Sequence, residues 1–240
     1  MSPEASAMED ARAGSGAVVA PAVPRATARL QLHRGFPFEA AREQVPYLAR
    51  LGVSHLYASP ILTARSGSLH GYDVVDCGAV NPELGGEGEL RRLVEALRRH
   101  GMGLLLDIVP NHMAVGNHDN AWWQDVLEWG RDSRYAAFFD IDWDVADPLL
   151  HGRLLAPFLG KPYGEALADG EIVLRFDESA GRFYAAYYDH HFPLSPESYL
   201  PLLRPEGAAL DGVTQLFQRP HGDRSARHQG FTAARQTLAA

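Results

Sequence analysis

Between Val53 and Val109, short apolar runs alternate with one strongly amphipathic stretch, and this succession restricts the fold more than any other feature. Val53 to Ala58 reads as a buried strand, followed by a Ser- and Gly-rich loop from Ser59 to Gly71. Glu87 to His100 sets Leu90, Leu93, Val94 and Leu97 at helical spacing, with Gly101 in the capping position, and Gly103 to Val109 is the next apolar run. Upstream, Leu30 and Leu32 alternate as in a strand that begins at Thr27. Phe38 to Leu51 then places Ala41, Val45, Leu48 and Leu51 on one helical face, with Pro46 expected to kink or split that helix. Continuous apolar strands joined through helices predict an α/β chain with a parallel sheet covered by helices. A doubly wound sheet and an eight-fold barrel both satisfy this pattern. Against the first, no Gly-x-Gly-x-x-Gly follows a strand, and Gly85-Gly86 lacks a Lys-Ser/Thr pair for phosphates. Polar residues gather instead after the second and third strands, where a barrel builds its active site.

The remaining classes are narrowed by composition. With 240 residues, 46% of them hydrophobic and 22% charged, the chain can bury a core. A formal net charge of -8 argues against a nucleic-acid surface, and the dense basic pairs Arg91-Arg92 and Arg98-Arg99 lie in one amphipathic helix beside acidic residues. The single cysteine, Cys77, excludes an internal disulfide and fits a reducing cytoplasm. The apolar run Ala17 to Val23 has no basic leader before it, and no stretch is long enough for a membrane helix, so no membrane partner is expected.

Residues 1–25, made of Ala, Ser, Gly, Pro and charge, are expected to be a disordered leader, and residues 26–112 carry the strand-helix repeat. After His112 the repeat stops. Residues 119 to 130 read as an aromatic helix and 134 to 143 as an aromatic segment, while Glu171 to Asp177 with Arg182 to Tyr188 reads as a hairpin. Residues 113–204 therefore read as an inserted α+β subdomain after strand three, and residues 205–240 as a weakly structured tail.

The third apolar strand runs out into Asp107, Asn111 and His112, and the second is followed by His70-Gly71-Tyr72-Asp73. In a parallel barrel these loops are neighbours. Asp107 suits an orienting carboxylate, Asn111 a hydrogen-bonding brace, His112 a donor to a ligand oxygen, and Tyr72 a flat face for a sugar or base. Each has a plain structural counterpart: Asp107 as a turn or cap, Tyr72 as a packed aromatic, His70 as simple loop placement. The aromatics Trp122, Trp123, Trp129, Tyr135, Phe138, Phe139 and Trp143 fit either a sugar platform or core packing, and the pair His190-His191 binds a metal only with partners that the sequence does not identify.

At these residues the sequence resembles the α-amylase family of glycoside-active barrels. Asp107-Ile-Val-Pro-Asn111-His112 is similar to its first conserved region, and His70-Gly71-Tyr72-Asp73 to the loop after its second strand. Narrower similarities, at Thr27 to His33, Leu56 to Ile61, Gly71 to Asp76, Asn81 to Gly86 and Phe138 to Trp143, point to a trehalose-forming branch and extend the resemblance over about residues 27 to 203. The resemblance implies a partial (β/α)8 TIM barrel (its first three strand-helix units) with the inserted subdomain after strand three. It implies that Tyr72 stacks on a sugar ring, that Asp73 and His112 hydrogen-bond its hydroxyls, and that Asp107, Asn111 and His70 support them. The Asn111 position is a calcium ligand in some members, but no metal or other cofactor is expected in this branch.

The implied substrate is a maltooligosaccharide. Its reducing-end α-1,4 linkage would become α,α-1,1 by a retaining intramolecular transglycosylation, in which a carboxylate attacks the anomeric carbon and a carboxylic acid protonates the leaving oxygen. The segments in which the family carries those carboxylates have no match in residues 113–240. The resemblance therefore implies an N-terminal portion of such an enzyme, with no catalytic residue of its own and inactive alone. An α-amylase-like hydrolase and a non-catalytic carbohydrate-binding module are the alternatives.

Overall fold

The computed structural model describes residues 23–203, 215, 217 and 224–239. Strands β1 (Thr27–Leu30), β2 (His55–Ala58) and β5 (Gly103–Leu106) form a parallel sheet in the order β1-β2-β5. The register aligns Arg29 with Tyr57 and Tyr57 with Leu105. Helix α1 (Phe38–Arg50) connects the first pair and α2 (Gly86–Arg99) lies between β2 and β5. Right-handed crossovers between strands laid down in one direction put both helices on the same face. Indeed α1 and α2 pack on each other and bury one cluster from Leu32, Phe38, Val45, Leu56, Leu93 and Leu97 against the sheet. Three parallel strands in sequential order, covered on one face, fit the start of a barrel and the first half of a doubly wound sheet alike. Each of those buried side chains contributes about 1.5–3 kcal/mol.

Both helices end as the glycines predict. Gly101 has φ +63°, and the N–H groups of Gly101 and Met102 donate to the carbonyls of Arg98 and Leu97, while Met102 joins the core. Gly52 and Val53 close α1 in the same way. Pro46, expected to kink or split α1, sits within a single helix. Its missing N–H removes one hydrogen bond to Arg42, and burial of Phe38, Ala41, Val45 and Leu48 on the same helix offsets that loss.

The chain between β2 and α2 is not only a loop. β3 (Leu62–Ala64) and β4 (Val74–Val80) pair antiparallel through an irregular register, and the ladder is extended by Arg65 N–H donating to the Asp73 carbonyl. The segment His70 to Asp73 is thus held in the connection of a hairpin. The third parallel strand is also shorter than the apolar run suggested. Asp107 N–H still bonds the Ala58 carbonyl at 2.9 Å, but the strand stops at Leu106 and Ile108 is exposed. Pro110, without an N–H, restricts the residue before it and cannot extend the ladder.

Beyond His112 the texture changes. Asn120, fully buried, caps α3 (Ala121–Trp129) by accepting from Trp123 N–H at 3.0 Å and donates to the Ala114 carbonyl. A short 3-10 turn at Gly130–Asp132 follows α3 and another at Ala136–Phe138 lies in the aromatic segment, and α4 (Tyr163–Ala168) precedes an antiparallel meander, β6 (Ile172–Asp177), β7 (Arg182–Tyr187) and β8 (His190–Pro193). The expected hairpin is there with Asp177 opposite Arg182, and β8 adds a third strand.

Residues 1–22 of the expected leader lie outside the described residues. Its end at Arg25 is tied down, with the N–H groups of Arg25 and Ala26 donating to Ser54 Oγ. Of the tail expected to be weakly structured, Arg224–Ala239 instead forms a helix. Phe231 and Ala234 are buried in a cluster with Tyr199 and Leu203, Trp129 stacks on His228 at 3.7 Å, and Arg235 pairs with the buried carboxylate of Glu128. Long-range partners, not local periodicity, order that segment.

Candidate functional site

Residues that alternate with the core positions point to the opposite face of the parallel sheet. Arg29, Tyr57 and Asp107 share that face, since Leu105 aligns with Tyr57 and Asp107 follows at the next alternate position. Tyr72 reaches them from the β3–β4 connection. Its hydroxyl donates to Asp107 Oδ2 at 2.5 Å and accepts from Arg29 at 3.0 Å, and the Tyr57 hydroxyl donates to the same Asp107 oxygen at 3.0 Å. Arg29 also lies 3.9 Å from that oxygen and 5.6 Å from the centre of the Tyr57 ring.

This network has an electrostatic signature. The hydrogen bond from Tyr72 chiefly holds the Asp107 carboxyl below its ordinary range against the opposing effect of desolvation, helped by the Tyr57 hydroxyl and the Arg29 charge. Its counterpart is a Tyr57 phenol pushed up, first by its bond to Asp107. Asp107 is thus a fixed anion with its oxygen already occupied, which suits a brace rather than a proton carrier.

The loop around Tyr72 is shaped by Gly71, at φ +78°, where a Cβ would stand 2.6 Å from the Pro60 carbonyl oxygen; only glycine fits. Ser68 Oγ accepts from Gly71 N–H and donates to Asp73 Oδ1 at 2.5 Å. His70 Nδ1 accepts from Tyr72 N–H at 3.0 Å, and the two rings stack with centroids 6.0 Å apart. An Nδ1 that accepts carries no proton for Asp73 Oδ1, 3.7 Å away, so that contact is not a charged pair.

His112 closes the arrangement from the other loop. Its Nε2 faces the Tyr72 carbonyl at 3.2 Å and its Nδ1 faces Asn111 Oδ1 at 3.1 Å. Two acceptors require a doubly protonated ring, or an Asn111 amide turned over to donate. All six residues singled out in the sequence therefore lie in one neighbourhood. Tyr72 and Asp107 meet directly, His70 and His112 hold the Tyr72 backbone, Asn111 touches His112, and Asp73 is bound back to Ser68. Arg29 and Tyr57 were missed as site residues. Their signal was polar alternation inside an apolar strand: Arg29 and Gln31 between Ala28, Leu30 and Leu32, and Tyr57 between Leu56 and Ala58.

Other candidates separate. His190 and His191 diverge from β8, the first toward Phe158 at 5.7 Å and the second stacked on His118 at 4.3 Å. Among the described residues no three His, Cys, Asp or Glu side chains converge on a metal site. The aromatics divide as well: Trp122 stacks on Tyr135 at 4.9 Å, whereas Trp123 and Phe139 line an apolar cavity of about 770 Å³ with Phe158 and Phe192. That cavity begins at Val115, past His112, and neither Tyr72 nor Asp107 lines it. No helix among the described residues is long and apolar enough to cross a membrane.

The catalytic domain of alpha-amylase matches residues 39–193. A protein of Mycobacterium tuberculosis, provisionally named a maltooligosyl trehalose synthase, is 58% identical over 142 residues, which is 58% of this chain and 18% of that protein. The maltooligosyltrehalose synthase structure from Arthrobacter ramosus superimposes with a TM-score of 0.62 at 44% identity, over 72% of this chain and 21% of the other. A hypothetical maltooligosyl trehalose synthase of Sulfolobus tokodaii gives 0.62 at 37% identity, over 77% and 24%. This chain spans about a fifth of the length of these relatives. The parallel sheet, the polar residues beyond its strand ends and the match over residues 39–193 have a common explanation: the chain belongs to the α-amylase family.

Proposed function

We propose that this chain forms the sugar-holding part of a maltooligosyl trehalose synthase, with residues 26–112 as the first three strand-helix units of a (β/α)8 barrel and residues 113–204 as a subdomain inserted after the third. The observation that carries the reading is Tyr72, pinned at its hydroxyl between Arg29 and Asp107 beyond the strand ends of the parallel sheet. A ring held this way offers a rigid face to a pyranose. Asp73, with Oδ1 occupied by Ser68, has Oδ2 for a sugar hydroxyl. His112 reaches a hydroxyl when that oxygen replaces the Tyr72 carbonyl at Nε2.

The reaction is a retaining rearrangement. The α-1,4 bond at the reducing end breaks as a carboxylate attacks the anomeric carbon and a carboxylic acid protonates the leaving oxygen; the released glucose, kept in place, then attacks the same carbon through its own anomeric hydroxyl, giving its proton back to that acid as the bond to the carboxylate breaks and the α,α-1,1 bond forms. Residues of this chain hold the sugar and keep its ring oriented. The attacking carboxylate and the proton donor come from sequence with no match in residues 113–240. Exclusion of water separates this rearrangement from hydrolysis.

The test exchanges residues 27–203 into the Arthrobacter ramosus enzyme in place of the matching segment, with maltopentaose as substrate. Loss of reducing ends without release of glucose is the expected result. Release of glucose or maltose without a trehalose-ended product would replace the reading with a hydrolase, and binding without turnover by a folded chimera would replace it with a binding module.

A further inference from the structure

We infer that Arg29 and Gln31 are positioning residues for Tyr72, a role that rests on the sugar-holding reading of that ring. Both are exposed and stand at alternate positions from β1 onward, away from the face that packs on α1 and α2. Arg29 donates to Tyr72 Oη through Nη2 and to Gln31 Oε1 through Nη1, each at 3.0 Å, and Gln31 Nε2 donates to the Leu69 carbonyl at 3.0 Å. The first strand therefore grips the β3–β4 connection at two points, Leu69 and Tyr72.

The direction of every proton in this row follows from the groups themselves. A guanidinium has no acceptor, an ionised carboxylate has no donor, and a phenol has one proton. With Arg29 donating into the Tyr72 oxygen, the single Tyr72 proton goes to Asp107, whose Oδ2 also receives the Tyr57 hydroxyl. The Tyr72 hydroxyl cannot reverse while Arg29 is in place. At its backbone end, Tyr72 is held by His70 through its N–H and by His112 at its carbonyl. The ring is thus fixed at both ends before a sugar arrives, so little freedom is left to lose on binding. Exposed polar contacts contribute little to stability by themselves. The effect of Arg29 and Gln31 therefore belongs to binding through Tyr72 rather than to folding.

The experiment uses the 240-residue chain with Arg29→Met, Arg29→Lys, Gln31→Leu, Tyr72→Phe and the double variant Arg29→Met/Tyr72→Phe. Maltopentaose affinity is measured by calorimetry, and the Tyr72 ring carbon is followed by NMR without ligand. Arg29→Met is expected to weaken binding about tenfold, roughly 1.4 kcal/mol, and Gln31→Leu by less. Arg29→Lys, which keeps a donor, recovers part of the loss. The double variant should bind like Tyr72→Phe alone, because Arg29 acts through the hydroxyl that this change removes. The ligand-free Tyr72 resonance should shift in Arg29→Met. Additive losses in the double variant, or an unmoved Tyr72 resonance, would overturn the inference. Failure of the unaltered chain to bind maltopentaose would remove the sugar-holding reading, while the Tyr72 resonance would still decide whether Arg29 positions that ring.

Discussion

Residues 27–112 and 113–203 are held together by different physics. The first region buries a contiguous apolar cluster between two helices and a parallel sheet, with Phe38, Val45, Leu56 and Leu93 fully inaccessible. The second has a smaller buried cluster around Tyr199 and Leu203, shared with the Arg224–Ala239 helix, and otherwise relies on pairwise contacts: Trp122 on Tyr135, Phe158 on Phe192, His118 on His191, and the capping amide of Asn120. Phe138, Leu149, Leu155 and Tyr188 are largely exposed there. One region is specified by periodicity and the other by particular partners far apart in sequence.

The sharpest way to break that comparison is truncation in each region. Phe38→Ala removes a fully buried ring from the first and should cost about 4 kcal/mol, as large-to-small changes in tight cores do. Trp122→Ala, with a partly exposed ring, should cost less than half as much. Urea unfolding measures both, and equal losses would mean that the second region has a core of the same kind.

The next effect concerns the contact that attaches the Arg224–Ala239 helix. Glu128 is buried and pairs with Arg235, while Arg227 pairs with Asp132 at 2.5 Å in more exposed surroundings. Arg235→Met leaves a buried carboxylate unpartnered and should destabilise by about 3 kcal/mol, whereas Arg227→Met should cost under about 1 kcal/mol. Thermal unfolding of the two variants separates a buried pair from a surface one.

Within the first region, Gly71→Ala tests the loop instead of the core. The left-handed backbone and the clash with the Pro60 carbonyl should cost about 2 kcal/mol. On the proposed sugar-holding role, maltopentaose binding should fall more than stability does, because Tyr72 is displaced directly. Equal losses of binding and stability would argue that the loop only packs.

Legibility follows the same division. The boundaries of α1 and α2 fall within one residue of their periodicity, and the β6–β7 hairpin is where alternation places it. The β3–β4 ladder was missed because Val74 to Val80 carries Asp76, Cys77 and Gly78 where a strand signal wants apolar or branched residues. β8 was missed because His190 and Pro193 obscure any alternation. The Arg224–Ala239 helix was missed because its order comes from Trp129, Tyr199 and Glu128. At the candidate site, Asp107, Tyr72 and His112 were readable as candidates because polar residues past a strand end stand out. Arg29 and Tyr57 were not, because a polar residue inside a strand is routine until its neighbours across the sheet are known.

The smallest expected effect is a separation in pH. Burial first, and then the neighbouring His118, hold the His191 imidazole below its ordinary 6.5. Asp177 and Asp189 oppose this, and the Tyr184 ring lies 4.5 Å away. A histidine depressed in the folded state binds more protons when unfolded, so stability falls as pH drops from about 6.5 through the folded value. Asp107 behaves differently: its folded carboxyl lies below the ordinary value, so its contribution is intact above about 3.9 and is lost as pH falls below that through the depressed value. On acidification, the ring resonances of His191 should therefore move before those of Tyr57, whose hydroxyl is bonded to the Asp107 carboxylate. His118→Phe keeps a stacked ring but removes the second imidazole. It should return the His191 titration only part of the way, since burial is the larger cause. A full return would mean that the His118 ring, and not burial, holds His191 down, and simultaneous movement of both sets of resonances would show that the two regions respond to acid as one unit.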